Sequence, residues 1–519
     1  MRAIMLMFDT LNKHFLSPYG CEWIKTPNFD RLMKKTVAFD RCYAGSLPCM
    51  PARRDLQTGR LNFLHRSWGP IEPYDDCFPE ILKKNGIYTH LISDHYHYWE
   101  DGGATYHNRY SSWEIVRGQE ADPWKGMVGN PYMDENTLGH IREDAVPAGE
   151  LSAVPLKETE TLSTGPAGPN DYMWKPNWVN RHYIQTDAQQ PQTVCMNLAE
   201  EFIRTNSTED NWFLQVELFD PHEPYYVDKK FTDLYKDDYH GPRFDWPPYT
   251  RSDPYTDAQI RHLRNQYAAL ISKCDESLGR LLDQMDQYAL WEDTLLIVNT
   301  DHGFLLGEHG WLAKNAPPVY NEICNTPLFI WDPRSKNTGI HSEKLVQTID
   351  LAPTLLNYFG TTVPDSVLGK DIKTILEEPD GAIHEYALFG YHSGHINITD
   401  GRYVYMLAPA DTNDSELYNY TLMPTHVNSF FSEAELQTVE LAEPFDFTKG
   451  LKLMRVKAPG IVKGIKRIPL ETMLFDLAED PQQNHPYRDE SIELRLKKAI
   501  KALMAENDAP AELYQRFGL

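Results

Sequence analysis

Cys49 opens the run Cys49-Met50-Pro51-Ala52-Arg53-Arg54-Asp55-Leu56-Gln57-Thr58-Gly59-Arg60, which sets a thiol and a guanidinium four residues apart on one turn-to-helix segment. That pair supplies a nucleophile and a fixed cation able to hold anionic oxygens. Acidic and imidazole side chains follow three apolar runs: Asp9 after Ala3 to Phe8, Asp220-Pro221-His222 after Trp212 to Phe219, and Asp301-His302 after Thr294 to Thr300. Histidine transfers protons near neutral pH. An isolated Asp after a strand is usually a turn former or cap, so Asp9 alone carries no argument. Two further groups stand out: Ser93-Asp94-His95-Tyr96-His97, and Lys314 in Gly310-Trp311-Leu312-Ala313-Lys314.

These residues need a scaffold that brings distant loops together. Apolar runs alternate with amphipathic helical patterns, the mark of βαβ units around a mostly parallel sheet. Thr26-Pro27 opens a helix over 28–35, 78–85 forms another before the strand 87–93, and 191–206 and 257–288 are long helices. Open α/β sheets bind ligands beyond the carboxyl ends of their strands, so the loops at Asp9, Asp220 and Asp301 should converge. The expected fold class is α/β: a large mixed, mostly parallel sheet flanked by helices, followed by a smaller C-terminal α+β domain carrying an antiparallel sheet. The division is 1–376 and 377–519, with strands at 386–391 and 401–407 and a helix at 491–506 in the second part. The aperiodic stretch of about 99–189 is expected to be an insertion over the site. Its aromatics, with Tyr225, Tyr226, Trp246 and Tyr249, suit either core or substrate platform.

With 41% hydrophobic and 24% charged residues in a 519-residue chain, the composition is that of a folded protein. The formal charge of −25 opposes nucleic acid and anionic membranes, so neither is an expected partner, and an anionic ligand needs a local basic site. The seven cysteines are odd in number, scattered and without CxxC spacing, so neither a disulfide framework nor a thiolate zinc site is indicated. The apolar run after Met1 stops at Asp9, too short for a signal sequence or a membrane span, and the expected location is cytoplasmic. Oligomeric state is not legible.

The run from Cys49 to Arg60 resembles the sulfatase signature C-x-P-[S/A]-R-x-x-x-x-T-G-R at every defined position. The resemblance continues through Thr26-Pro27-Asn28-Phe29-Asp30, Asp275-Glu276-Ser277-Leu278-Gly279, Asp301-His302-Gly303, Gly307-Glu308-His309-Gly310, Asp350-Leu351-Ala352-Pro353-Thr354 and Leu474-Phe475-Asp476-Leu477. The chain is therefore identified as similar to type I sulfatases of the alkaline phosphatase superfamily. The resemblance implies an alkaline phosphatase-like fold and hydrolysis of a sulfate monoester. It also implies that Cys49 is oxidised to formylglycine by a formylglycine-generating enzyme.

It further implies a divalent cation held by Asp9, Cys49, Asp301 and His302. Arg53 would clamp the nucleophile and the ligand carboxylates, Lys314 would bind sulfate, and His222 of the PHxP loop would bind substrate and protonate the leaving oxygen. In the family G-K-W-H pattern, His97 matches the histidine that holds the nucleophile, while His95 replaces a sulfate-binding lysine. His95 is as well explained as a strand-end cap. Many sulfatases carry an acid where this chain has Thr10, and Asn where it has His302. Ca²⁺ is then the first expectation, with Mn²⁺ or Mg²⁺ as competitors. Two alternatives stand beside the sulfatase reading: a phosphonate monoester or phosphodiester hydrolase using the same residues, and an unactivated binding protein. The acidic surface favours small, singly sulfated sugars or other organic sulfates over long polyanions.

Overall fold

In the computed structural model, which describes residues 1–132, 134, 137, 173–315, 318–335, 337–378, 381–410, 417–458 and 470–519, the site is built on a central run of apolar strands. β1 (Arg2–Phe8) is buried along its whole length. Ile4, Leu6 and Phe8 pack into one core layer while Ala3, Met5 and Met7 pack into another, as a strand covered on both faces requires. The other labelled strands are β2 (Val37–Tyr43), β3 (Tyr88–Ser93), β4 (Ser112–Ile115), β5 (Trp212–Leu218) and β6 (Thr294–Thr300). Across the sheet the order is Ile340–Gln347, β2, Leu328–Trp331, β6, β1, β5, β3, β4. All neighbours run parallel except Leu328–Trp331, which is antiparallel to both β6 and β2, and the short Asn325–Thr326, which pairs antiparallel with β2. The mixed, mostly parallel sheet is thus observed.

Helices cover both faces. α1 (Pro27–Met33) starts on Pro27, and its first backbone N–H groups are satisfied from afar: Asn28 N and Phe29 N both donate to Asp275 Oδ1 at 2.9 Å. Asp275 lies on the 31-residue helix Asp257–Gln287, so the runs 26–30 and 275–279 lock one helix against another. α2 (Cys49–Thr58) and α3 (Phe78–Lys84) lie on the opposite face of the sheet, in the layer of Met5 and Met7.

One expectation is corrected. Part of the stretch 99–189 belongs to the main sheet, because Ser112–Ile115 is its edge strand, paired parallel with β3. Its sequence SWEI is mostly solvent-facing at a sheet edge and so shows no apolar period. The helix Trp174–Tyr183 also lies in this stretch. Residues 138–172, the middle of the expected insertion, fall outside the described residues.

The later part of the chain forms an antiparallel sheet of Ala387–Gly390, Ile396–Thr399, Tyr403–Leu407 and Met473–Asp476, with Glu490–Glu506 packed on one face through Leu496, Ile500 and Met504. Its other face, through Phe389, Val404 and Met406, packs with Tyr43, Leu305 and Trp311. A second antiparallel sheet joins Tyr418–Thr421, Leu453–Lys457 and Glu440–Ala442. The sequence division at 376/377 falls at the end of the helix Lys373–Glu377.

Candidate active site

Strand register decides which side chains meet. β1 lies between β5 and β6, with Phe8 opposite both Leu218 and Thr300. The next residues, Asp9 and Asp301, therefore emerge side by side at the carboxyl edge of the sheet. α2 brings Cys49 to the same edge, and Asp55 fixes its entry and exit: the Asp55 carboxylate accepts from Ser46 N at 2.6 Å, Ser46 Oγ at 2.9 Å and Asn62 N at 2.9 Å. Gly59 ends α2 with φ +63°, where a Cβ would lie 2.6 Å from Val367 Cγ1. The Gly of the motif is thus required by the helix end.

One ligand atom from each of Asp9, Cys49, Asp301 and His302 lies within 4.8 Å of all the others, and all four residues are buried. This donor set fits a divalent cation. His302 Nδ1 donates to Gly303 O at 2.9 Å, which leaves the Nε2 lone pair facing Cys49 Sγ at 3.1 Å. A backbone carbonyl that fixes the tautomer in this way is typical support for a ligating imidazole. Burial pushes the Cys49 thiol well above its ordinary pKa, and the Asp9 carboxylate adds to the effect.

Arg53 is 1% exposed, and three of its nitrogens each donate to a different carboxylate: Nη2 to Asp9 at 2.8 Å, Nη1 to Asp301 at 2.6 Å, and Nε to Glu217. Burial alone would raise the Asp9 pKa, but Arg53 together with His222, Lys314 and His302 outweighs it, so the carboxyl is held well below its usual range. Lys314 faces the cluster from the other side, with Nζ donating to Thr10 Oγ1 at 3.1 Å and lying 3.9 Å from Glu223 Oε2. Burial opposes its charge, yet Cys49, Glu223 and Asp9 hold its pKa above the ordinary lysine value.

His222 is buried beside Lys314. Its Nδ1 donates to Glu223 O at 2.6 Å, leaving Nε2 as the atom that can carry a transferable proton. Burial, then Lys314, lowers its pKa. His95 is fully buried, with Nδ1 3.8 Å from Asp9 Oδ2 and Nε2 3.3 Å from Met50 Sδ. Its pKa is lowered, first by burial and then by Arg53, so it adds no fixed cation to the site. His97 sits in the 3₁₀ turn Tyr96–Trp99, which directs Nδ1 to Glu100 Oε2 at 2.6 Å and the ring edge-on to Trp68. The expected contact between His97 and the Cys49 side chain is not among the hydrogen bonds of the described residues. The structure brings His95 against Asp9 instead.

Several participants escaped sequence reasoning. Glu217 lies in the apolar run of β5, 0% exposed, and accepts from Arg53 and from Tyr98 Oη at 2.8 Å. Its only sequence signal is a carboxylate inside a buried strand. Thr10 adopts φ +66°, a strained conformation for a β-branched residue, with its backbone N–H on Asp301 Oδ1 at 3.0 Å and its hydroxyl on Asp9. Glu120 is buried near Glu223 and Lys314, and burial pushes its carboxyl up to about 8. Of the aromatics, Tyr225 and Trp246 are core, and Tyr249 donates to Glu223.

A family profile described as Sulfatase matches residues 3–361, and one described as N-sulphoglucosamine sulphohydrolase, C-terminal, matches residues 307–446. An arylsulfatase of Clostridium perfringens is 24% identical over 422 residues, which cover 76% of this chain and 83% of the relative. An N-acetylglucosamine-6-O-sulfatase of Bacteroides thetaiotaomicron is 24% identical over 475 residues, 83% of each chain. The solved phosphonate monoester hydrolase of Agrobacterium radiobacter shares the fold with a TM-score of 0.64 at 18% identity, covering 98% of this chain and 96% of that one. A protein solved with D-glucosamine-2-N,6-O-disulfate superposes with a TM-score of 0.60 at 16% identity, covering 100% and 98%. Since the first profile spans well over half of the sequence, the chain belongs to the sulfatase family, hydrolases of sulfate esters.

Proposed function

We propose that this protein cleaves the sulfate monoester of a small organic molecule, such as a singly sulfated sugar, to alcohol and inorganic sulfate. The observation that carries the reading is the gathering of the Asp9, Cys49, Asp301 and His302 ligand atoms within 4.8 Å, flanked by the buried cations Arg53 and Lys314. Such a site answers the needs of a tetrahedral centre ringed by anionic oxygens: a nucleophile, fixed positive charge and a proton donor. Cys49 converted to formylglycine by a formylglycine-generating enzyme supplies a hydrated aldehyde, whose two hydroxyls serve attack on sulfur and later release of sulfate. Asp9, Asp301, His302 and residue 49 would hold a divalent cation, which would supply charge for a sulfate oxygen and acidity for the nucleophile.

The remaining work falls to side chains in place. Arg53 orients the two ligand carboxylates, Lys314 binds a sulfate oxygen, and His222 Nε2 protonates the departing alkoxide. His95 contacts Asp9 without adding charge, which leaves Lys314 as the side chain that meets sulfate directly. With Thr10 in place of a second acid and an imidazole in the ligand set, Mn²⁺ or Mg²⁺ competes with Ca²⁺.

Co-expression with a formylglycine-generating enzyme, followed by peptide mass spectrometry, tests the maturation of Cys49. Paired aryl sulfate and aryl phosphonate assays test the reaction. A larger kcat/KM for the sulfate is expected, whereas a strong preference for the phosphonate would assign the protein to the other chemistry represented among its structural neighbours. An unmodified Cys49 without bound metal would leave only the binding-protein reading.

A further inference from the structure

Glu223 follows His222 directly and is 0% exposed. Tyr249 donates to its Oε1, so the carboxyl group is anchored by one oxygen. The other oxygen, Oε2, is buried without a hydrogen-bond partner among the described residues, 3.4 Å from His222 Nδ1 and 3.9 Å from Lys314 Nζ. A buried acceptor left unpaired is costly, and its persistence between two site residues calls for a reason.

The imidazole geometry supplies one. In neutral His222 the single N–H sits on Nδ1 and donates to Glu223 O at 2.6 Å. Donating a proton to a leaving alkoxide requires a second N–H, on Nε2, and so an imidazolium in a buried site next to the Lys314 ammonium. A carboxylate near Nδ1 is the charge complement such an ion needs. Building on the proposed reaction, we infer that Glu223 is a positioning residue for both cations: it balances the imidazolium of His222 from the Nδ1 side and restrains Lys314. During cleavage the proton leaves His222 Nε2 for the leaving oxygen as the S–O bond breaks. His222 returns to its neutral form with Nδ1–H still on the Glu223 carbonyl, and Glu223 itself neither gains nor loses a proton.

Glu223→Gln keeps the size of the side chain and an oxygen for Tyr249 while removing the charge. Both an alkyl or sugar sulfate and 4-nitrophenyl sulfate are assayed, since the alkoxide needs a proton and the nitrophenolate leaves without one. The expected result is that kcat/KM falls ~100-fold more for the alkyl ester than for the aryl ester, the scale of general-acid assistance. Inorganic sulfate should inhibit the variant more tightly, because Lys314 no longer shares its charge with a carboxylate. Tyr249→Phe, which frees the anchored oxygen, should move both readouts the same way and less far. Equal losses on the two esters with unchanged sulfate inhibition, in variants of unchanged metal content, would overturn the role of Glu223. Failure of the wild-type enzyme on both sulfates would instead overturn the reaction itself.

Discussion

Glu217→Gln removes one partner of a fully buried ion pair and leaves the fold around it intact. In the wild type Arg53 meets Glu217, Asp9 and Asp301, all essentially without solvent access. Breaking such a pair from one side costs ~3–5 kcal/mol, because the remaining charge stays buried. Arg53 retains two carboxylates, which places the change at the lower end, about 3 kcal/mol. The new amide also turns a donor toward either Arg53 or the pair Tyr98 and Gln215, which donate to Glu217 Oε2 at 2.8 and 3.4 Å. With an unfolding entropy of ~2.1 cal/mol/K per residue over the 519-residue chain, 3 kcal/mol lowers Tm by about 3 °C. A second effect follows from the same charge. Without Glu217, Arg53 bears more fully on Asp9 and Asp301 and competes with a cation for them. The thermal shift produced by Mn²⁺, Mg²⁺ or Ca²⁺ should therefore be smaller in the variant than in the wild type. Differential scanning fluorimetry in chelator and in a metal series measures both quantities. A variant with unchanged Tm and an undiminished metal shift would refute the assignment of Glu217 as the counter-charge of Arg53.

Cys49→Ala should abolish turnover while metal still binds to Asp9, Asp301 and His302 with reduced affinity, as read by metal analysis and by assay. Thr10→Asp replaces a β-branched residue at φ +66° with one that tolerates this conformation, and it adds a carboxylate beside Asp9; the ratio of Ca²⁺ to Mn²⁺ affinity should rise, and an unchanged ratio would show that residue 10 does not reach the ion. His65, His392 and His395 are pushed down by burial to about 3, 4 and 4, and donate to Asp508 O, Phe63 O and Glu471 O. Each folded pKa lies below the unfolded value, so their stability contribution is full above about pH 6.5 and is lost as pH falls toward about 4. Chemical denaturation across that range should show the loss, and His65→Gln should flatten it; an identical slope in the variant would remove His65 from the account.

The carboxyl edge of the sheet was legible because three apolar strands each end in a titratable residue, and a parallel register then carries Asp9 and Asp301 together. Cys49 and Arg53 were legible because they stand in a run that matches the sulfatase signature, one helical turn apart. Glu217 was hidden because its partner is 164 residues away and because an acid inside a strand reads as solvent-facing until the opposite face is known. The orientations of His95 and His97 were hidden for a local reason: both lie within one residue of the start of the 3₁₀ turn Tyr96–Trp99, where spacing does not reveal which ring turns inward. β4 was lost in an aperiodic stretch since a short edge strand needs no apolar alternation. The net charge of −25 takes on a different meaning once these partners are known. Arg53, the most prominent cation of the motif, is already matched by three carboxylates, and His95 is held neutral, so neither supplies spare positive charge. Attraction for a sulfate ester then depends on Lys314 and on the cation that Asp9, Asp301 and His302 can hold. Under the proposed function, the sulfate bound beside Lys314 and that cation would meet positive charge, while a second sulfate on the same substrate would meet the protein's net negative field.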